Sequence, residues 1–175
     1  LLKIFKIEKT HTAALFTGSG TAALEALLSS YADKTKKVLV LSNGVYGDRI
    51  RRILEIHGTP ANVLSSQPGD FPSMKQIEAF LKRDGTLHGI AMVHHETSNG
   101  MLNPLSQVAA IAKRYNKTLL VDAVSSLGAE PVDFNEIGFL VRVDISERGN
   151  GHVSSPRKCI ATITSAATAL PILYT

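Results

Sequence analysis

The chain has 175 residues, of which 44% are hydrophobic and 19% charged, a balance typical of a folded domain with a core. Its formal net charge is +4, but the 19 lysines and arginines are scattered, whereas a nucleic-acid-binding surface usually concentrates them. The single cysteine, Cys159, excludes an internal disulfide and favours a cytoplasmic location. The apolar stretch from Cys159 to Thr175 is shorter than the roughly 20 residues that span a bilayer, so no membrane partner is expected.

Short runs that are predicted to be strands alternate along the chain with helical patterns. The strands are Thr12 to Phe16, Val38 to Ser42, Ala61 to Leu64, Gly89 to His94 and Thr118 to Asp122. The helices are Thr21 to Tyr31, Asp48 to His57, Ser73 to Lys82 and a fourth ending near Tyr115, which Asn103 is expected to cap with Pro104 at the first helical position. This alternation predicts an α/β fold, with a mostly parallel sheet and helices on both faces.

The first candidate site follows the first predicted strand, because ligands of parallel sheets gather at the carboxyl ends of strands. Gly18-Ser19-Gly20-Thr21 joins that strand to a helix, where free backbone N–H groups favour a phosphate. A plain structural turn or a dinucleotide-binding loop would use the same glycines. The next strand ends at Ser42-Asn43, however, without the acid that a dinucleotide ribose requires.

Two further side chains are candidates for contact with a planar cofactor. Asp122 ends a buried apolar strand, where a carboxylate is costly unless it meets a cationic or hydrogen-bonding partner. A protonated pyridine nitrogen would be such a partner, and a helix-capping aspartate is the alternative. Tyr46 lies between Gly44 and Gly47, which leave room for a ring to stack on it, although a tyrosine packed in the core would fit equally well.

Two other types of site are not supported. His94-His95-Glu96 does not predict a metal site, because adjacent strand residues point to opposite faces and no later histidine or cysteine completes a familiar spacing. Ser125-Ser126 and Ser154-Ser155 do not lie in a Gly-x-Ser-x-Gly elbow, so they do not predict a serine nucleophile.

Four motifs in order carry a resemblance to a known family. They are GSGTAALEA from Gly18, NGVYGDR from Asn43, HHETSNG from His94 and VDAVSSLGAE from Val121. Over about residues 1–134 the chain resembles the class V aminotransferases of fold type I. The second and third motifs resemble the branch that acts on 2-aminoethylphosphonate and pyruvate more than the alanine–glyoxylate and serine–pyruvate branches.

The resemblance implies pyridoxal 5'-phosphate as cofactor, and transamination of 2-aminoethylphosphonate with pyruvate to phosphonoacetaldehyde and alanine by a homodimer. It assigns the cofactor phosphate to Ser19, Gly20 and Thr21, ring stacking to Tyr46, the cofactor hydroxyl side to Thr97 and the pyridine nitrogen to Asp122. The segment Ser154-Ser155-Pro156-Arg157-Lys158-Cys159 matches the form in which the family carries its Schiff-base lysine, so Lys158 is implied in that role.

The resemblance also implies a domain organisation. Residues 1–134 are expected to form the cofactor-binding core of the large domain and residues 135–175 a divergent segment, without the family's C-terminal small domain. The connection from Asp122 to Lys158 is longer than in the family, and Asn135 to Val153 are expected to be inserted or altered. Two other interpretations stay open: a catalytically inactive interaction module on the same fold, and a dinucleotide-binding Rossmann domain.

Overall fold

The computed structural model describes residues 2–3, 5–9, 11–31, 34–134, 139–143 and 158–164, and for the last two segments only the backbone. The strands are β1 (His11–Thr17), β2 (Lys37–Ser42), β3 (Ala61–Ser65), β4 (Leu87–Val93), β5 (His95–Glu96), β6 (Met101–Leu102), β7 (Thr118–Asp122), β8 (Phe139–Val143) and β9 (Lys158–Thr164). The helices are α1 (Gly20–Tyr31), α2 (Val45–Ile56), α3 (Met74–Arg83) and α4 (Leu105–Arg114). Within these residues no helix has the length and apolar character needed to cross a membrane.

Seven strands form one parallel sheet in the order β1-β9-β8-β7-β4-β2-β3. The other two, β5 and β6, pair as a short antiparallel hairpin that follows β4. The α/β fold with a mostly parallel sheet is therefore confirmed.

Helices cover both faces of this sheet, as its apolar strands require. Alternate residues of a strand point to opposite faces, so Val38 and Val40 of β2 pack with α1 and α2, whereas Leu39 and Leu41 pack with α3 and α4. Two buried clusters result, one on each face. The sheet between them is rigid enough to fix the positions of the loops at its ends.

The strand order sets where a ligand can enter. The chain leaves β2 through α2 on one face and leaves β4, the neighbour of β2, through α4 on the other face. Because the loops after these two strands diverge to opposite faces, they leave a crevice beyond the carboxyl ends of the strands. We therefore expect the candidate site at the carboxyl ends of β2, β4 and β7.

The five predicted strands and four predicted helices are confirmed with small shifts at their ends, but the predicted cap of the fourth helix is wrong. Pro104 is the N-cap of α4, and no side chain caps that helix. Asn103 is buried, and its side chain instead donates to the Val93 carbonyl oxygen at 2.9 Å and pairs with Asn43. The strands β8 and β9 lie in the segment predicted to diverge, and the rest of that segment lies outside the described residues.

Candidate functional site

A cavity of about 230 Å³ lies beyond the carboxyl ends of β4 and β7, between the first turns of α1 and α2. Typical ligand clefts hold roughly 300–1,000 Å³, so this volume fits one small ring with a short substituent better than a dinucleotide. Its lining is Gly20, Thr21, Leu24, Tyr46, Arg49, Val93, His95, Thr97, Asp122, Val124 and Ser125. Five of the predicted site residues, namely Gly20, Thr21, Tyr46, Thr97 and Asp122, are thus brought together.

The start of α1 provides the wall suited to an anion. Helix α1 begins at Gly20, and the hydroxyl oxygen of Ser19 accepts a hydrogen bond from the Ala22 N–H at 3.3 Å. Ser19 therefore caps the helix next to the cavity, while Gly20 and Thr21 line it. No acidic side chain lies in the first turn, so the positive end of the helix dipole is not neutralised there.

Arg49 joins the two helix starts across the cavity. Its guanidinium carbon lies 4.7 Å from the centre of the Tyr46 ring, and its Nη1 donates to the Thr21 hydroxyl at 3.2 Å. One face of Tyr46 thus already carries a cation, and the predicted stacking must use the other face or displace Arg49. Sequence reasoning missed Arg49 because it fits the polar face of an amphipathic helix. The signal was its spacing of three residues from Tyr46, which places both on one side of α2.

Asp122 is the charged group at the floor of the cavity. It ends β7 and is buried, with the Val124 N–H donating to its Oδ1 at 3.0 Å. Burial raises the pKa of the Asp122 carboxyl above its ordinary value, an effect that the Val124 hydrogen bond and Arg49 partly oppose and that Glu96 reinforces. A carboxylate in this setting gains from a cationic partner in the cavity, because such a partner offsets the cost of burying its charge.

The hairpin of β5 and β6 forms the remaining wall and carries Thr97 and His95. His94 lies between β4 and β5 and is buried, whereas His95 lines the cavity. Within the described residues no group of three histidine, cysteine, aspartate or glutamate side chains could hold a metal ion. His95 was not predicted as a site residue, since its exposure to the cavity depends on the turn that follows β4.

Lys158 is the predicted site residue that the described backbone does not bring to the cavity. The sheet register places Asp122 level with Val141 of β8 and with Ala161 of β9, whereas Lys158 is the first residue of β9 and pairs with His11. Three residues of strand correspond to about 10 Å, measured toward the amino edge of the sheet. Its side chain lies outside the described residues, so the role of Lys158 stays a prediction.

Comparisons with known proteins agree with the fold. The model of the family described as "Aminotransferase class-V" matches residues 4–142. A 2-aminoethylphosphonate–pyruvate transaminase of Vibrio vulnificus (strain CMCP6) is 37% identical over 91% of this chain and 41% of its own length. The protein of the same name from Pseudomonas putida (strain GB-1) is 34% identical over 97% of this chain and 48% of its own length.

A solved structure is similar as well. The alanine–glyoxylate aminotransferase of Nostoc sp. superimposes with a TM-score of 0.63 and 31% identity, covering 67% of this chain and 31% of that protein. The chain thus spans less than half the length of the curated relatives quoted above.

Proposed function

The chain belongs to the class V aminotransferases, and from that premise we propose that its cavity binds pyridoxal 5'-phosphate for a transamination of 2-aminoethylphosphonate with pyruvate. The observation that carries the proposal is Asp122, a buried carboxylate at the end of a central strand and on the floor of the cavity. The names of the Vibrio and Pseudomonas relatives, at 37% and 34% identity, support the choice of substrates.

The residues that line the cavity fit this cofactor in three respects. The start of α1, where no acidic side chain neutralises the helix dipole, suits its phosphate. The ring of Tyr46 suits its planar ring, and the buried Asp122 suits a protonated ring nitrogen. When bound, pyridoxal phosphate supplies a ring that accepts electrons, which allows an amino group to move between two substrates.

Each residue of the chain then has a distinct task. Ser19, Gly20 and Thr21 bind the phosphate, and Thr97 orients the hydroxyl side of the ring. Asp122 keeps a proton on the ring nitrogen, and Arg49 favours its ionised form because the guanidinium opposes the effect of burial. Lys158 attaches the cofactor covalently and moves the proton at the reacting carbon. This last assignment is supported by the motif around Lys158 and requires it to come closer to the cavity than the register of β9 places it.

We propose further that residues 1–134 form the cofactor-binding core of the large domain, that residues 135–175 are the segment that carries Lys158, and that the complete enzyme is a homodimer. One observation favours a second pair of substrates for the transfer of the amino group. The similar Nostoc structure is described as an alanine–glyoxylate aminotransferase, so glyoxylate and alanine are the alternative substrates.

The test is covalent trapping of the cofactor. The purified chain is incubated with pyridoxal phosphate, reduced with borohydride, digested and mapped by mass spectrometry. We expect a reduced adduct on Lys158 in the wild type and in the control variant Lys113→Ala, and its loss in Lys158→Ala. No adduct in the wild type would overturn the proposed function, whereas an adduct on another lysine would overturn only the assignment of Lys158.

The substrate class is tested separately by adding 2-aminoethylphosphonate to the loaded protein and measuring phosphonoacetaldehyde, with L-serine and L-alanine as comparison donors. Release of phosphonoacetaldehyde supports the proposed substrate. Consumption of alanine alone, with no reaction of the phosphonate, would favour the alanine–glyoxylate alternative.

A further inference from the structure

A fully buried carboxylate links the hairpin to α2. Glu96, in β5, has no exposed surface, and its two oxygens accept hydrogen bonds from the N–H groups of Tyr46 at 3.3 Å, Gly47 at 3.0 Å and Ser98 at 3.4 Å. The Ser98 hydroxyl also donates to Glu96. An ionised group that is buried this completely is stable only when such donors replace water.

Helix α2 depends on this contact because it does not cap itself. Its N-cap is Gly44, which has no side chain, and the first N–H groups of a helix lack partners within the helix. The hairpin supplies them: Glu96 takes two, and the Ser98 hydroxyl accepts a third from Val45 at 3.1 Å. The negative charge of Glu96 also lies at the positive end of the helix dipole.

The fit at this junction is close. A Cβ on Gly44 would lie 2.5 Å from Glu96 Cγ and Cδ and 2.6 Å from Ser98 Oγ, distances that real Cβ atoms do not show. The φ of Gly44 is −176°, which any residue adopts, so it is space and not backbone freedom that requires glycine here. We call Gly44, Glu96 and Ser98 the Glu96 clamp.

We infer that Glu96 is a positioning residue of the cavity, which fixes the first turn of α2 and with it Tyr46. The hairpin that carries Thr97 and the helix that carries Tyr46 and Arg49 are thereby held as one unit. The consequence for cofactor binding rests on the proposed function. The geometric role does not, because the contacts of Glu96 are made by the protein alone.

The competing explanation is that Glu96 only adds stability, as any helix cap does. Helix α3 offers the matched comparison, because the Ser73 hydroxyl accepts from the Gln76 N–H at 3.3 Å in an ordinary capping box away from the cavity. Both caps contribute to stability, but only loss of the Glu96 clamp should change the surroundings of Tyr46.

The experiment uses a single fluorescent reporter. The chain has no tryptophan, so Tyr46→Trp introduces one at the wall of the cavity. In this background, without cofactor, we expect Glu96→Gln to raise the acrylamide quenching constant by about twofold or more, because the freed first turn opens to solvent. Ser73→Ala in the same background should leave the quenching constant unchanged, although it also removes a helix cap.

A second measurement connects the clamp to the ligand. Under the proposed function, Glu96→Gln in the otherwise unmodified chain should weaken the binding of pyridoxal phosphate by about tenfold, whereas Ser73→Ala should not. If Glu96→Gln does not fold, Ser98→Ala removes the hydroxyl that contacts both Glu96 and Val45 and should change both readouts in the same direction by a smaller amount.

These outcomes separate the positioning role of Glu96 from the proposed function. Equal quenching with and without Glu96→Gln, or an equal change with Ser73→Ala, would overturn the positioning role. If the unmodified chain does not bind pyridoxal phosphate, the proposed function fails, and the quenching comparison in the cofactor-free protein still decides the role of Glu96.

Discussion

The pair of buried amides behind the hairpin allows the most specific prediction on stability. Asn43 follows β2 and Asn103 follows the hairpin, and each is only 3% exposed. Asn43 Nδ2 donates to Asn103 Oδ1 at 2.8 Å, and Asn103 Nδ2 returns a bond to Asn43 Oδ1 at 3.2 Å. A third bond runs from Asn103 Nδ2 to the Val93 carbonyl oxygen at 2.9 Å. Asn103 thus ties together the ends of β2 and β4, which flank the crevice.

The change Asn103→Ala removes all three bonds and leaves the side-chain oxygen Oδ1 of Asn43 buried without its partner. At about 1 kcal/mol for each bond, the free energy of unfolding should fall by about 3 kcal/mol. The measurement is urea unfolding followed by circular dichroism at neutral pH, without cofactor.

Asn62→Ala is the matched control. Asn62 is only half-buried, and its side chain donates one bond, to Asp84 at 3.1 Å, so we expect a loss of about 1 kcal/mol. Equal losses in the two variants, or a loss of less than about 1 kcal/mol in Asn103→Ala, would refute the reasoning that the buried amide pair holds the two strand ends together.

Three more predictions follow from contacts near and far from the cavity. Gly44→Ala should lower the free energy of unfolding by about 1–3 kcal/mol, because the added Cβ has no space. The control Gly85→Ala should be nearly neutral, because its added Cβ meets no atom within 4 Å. Equal losses in the two variants would contradict this reasoning. The Lys37 ammonium lies 2.5 Å from Asp84 and holds the pKa of that carboxyl below its ordinary value. This pair therefore stabilises the fold at neutral pH, and its contribution decreases progressively as the pH falls below about 4, the pKa of an unfolded aspartate. Asp84→Asn should therefore flatten the acid side of the stability–pH curve, and an unchanged curve would count against the pair. Burial raises the pKa of Asp122, so ionisation of this carboxyl opposes folding above its unfolded pKa. Asp122→Asn should therefore stabilise the cofactor-free chain at pH 7 more than at pH 3. Destabilisation at pH 7 would contradict the view that the buried charge of Asp122 costs stability.

Much of the fold could be predicted because its signals are local. Continuous apolar runs such as Val38 to Leu41 require cover on both faces, and they lie in a parallel sheet between two helical layers. The family resemblance named the loop from Gly18 and the strand end at Asp122, and the parallel topology brings Gly20, Thr21 and Asp122 to one cavity.

The features that the sequence did not predict depend on contacts between residues far apart in the chain. Helix α2 starts at Val45, three residues before the predicted Asp48. Its first turn donates N–H groups to the Glu96 carboxylate, some fifty residues later in the chain, and a local sequence pattern cannot predict that contact. Asn103 fits the pattern of a helix cap, but its amide is used 60 residues away by Asn43. The aliphatic run of β8 follows a predicted boundary at Phe134, and only pairing with β7 identifies it as part of the sheet.

The central claim, that the cavity around Asp122 is the cofactor site, is tested most directly by calorimetric titration with pyridoxamine 5'-phosphate. This compound cannot react with a lysine, so the result does not depend on Lys158. The account predicts saturable binding of one molecule per cavity. The affinity should fall by roughly 10–100-fold in Asp122→Ala, which removes a charge-assisted hydrogen bond, and should not change in the remote variant Asp84→Asn. Absence of binding, or binding that Asp122→Ala leaves intact, would contradict it.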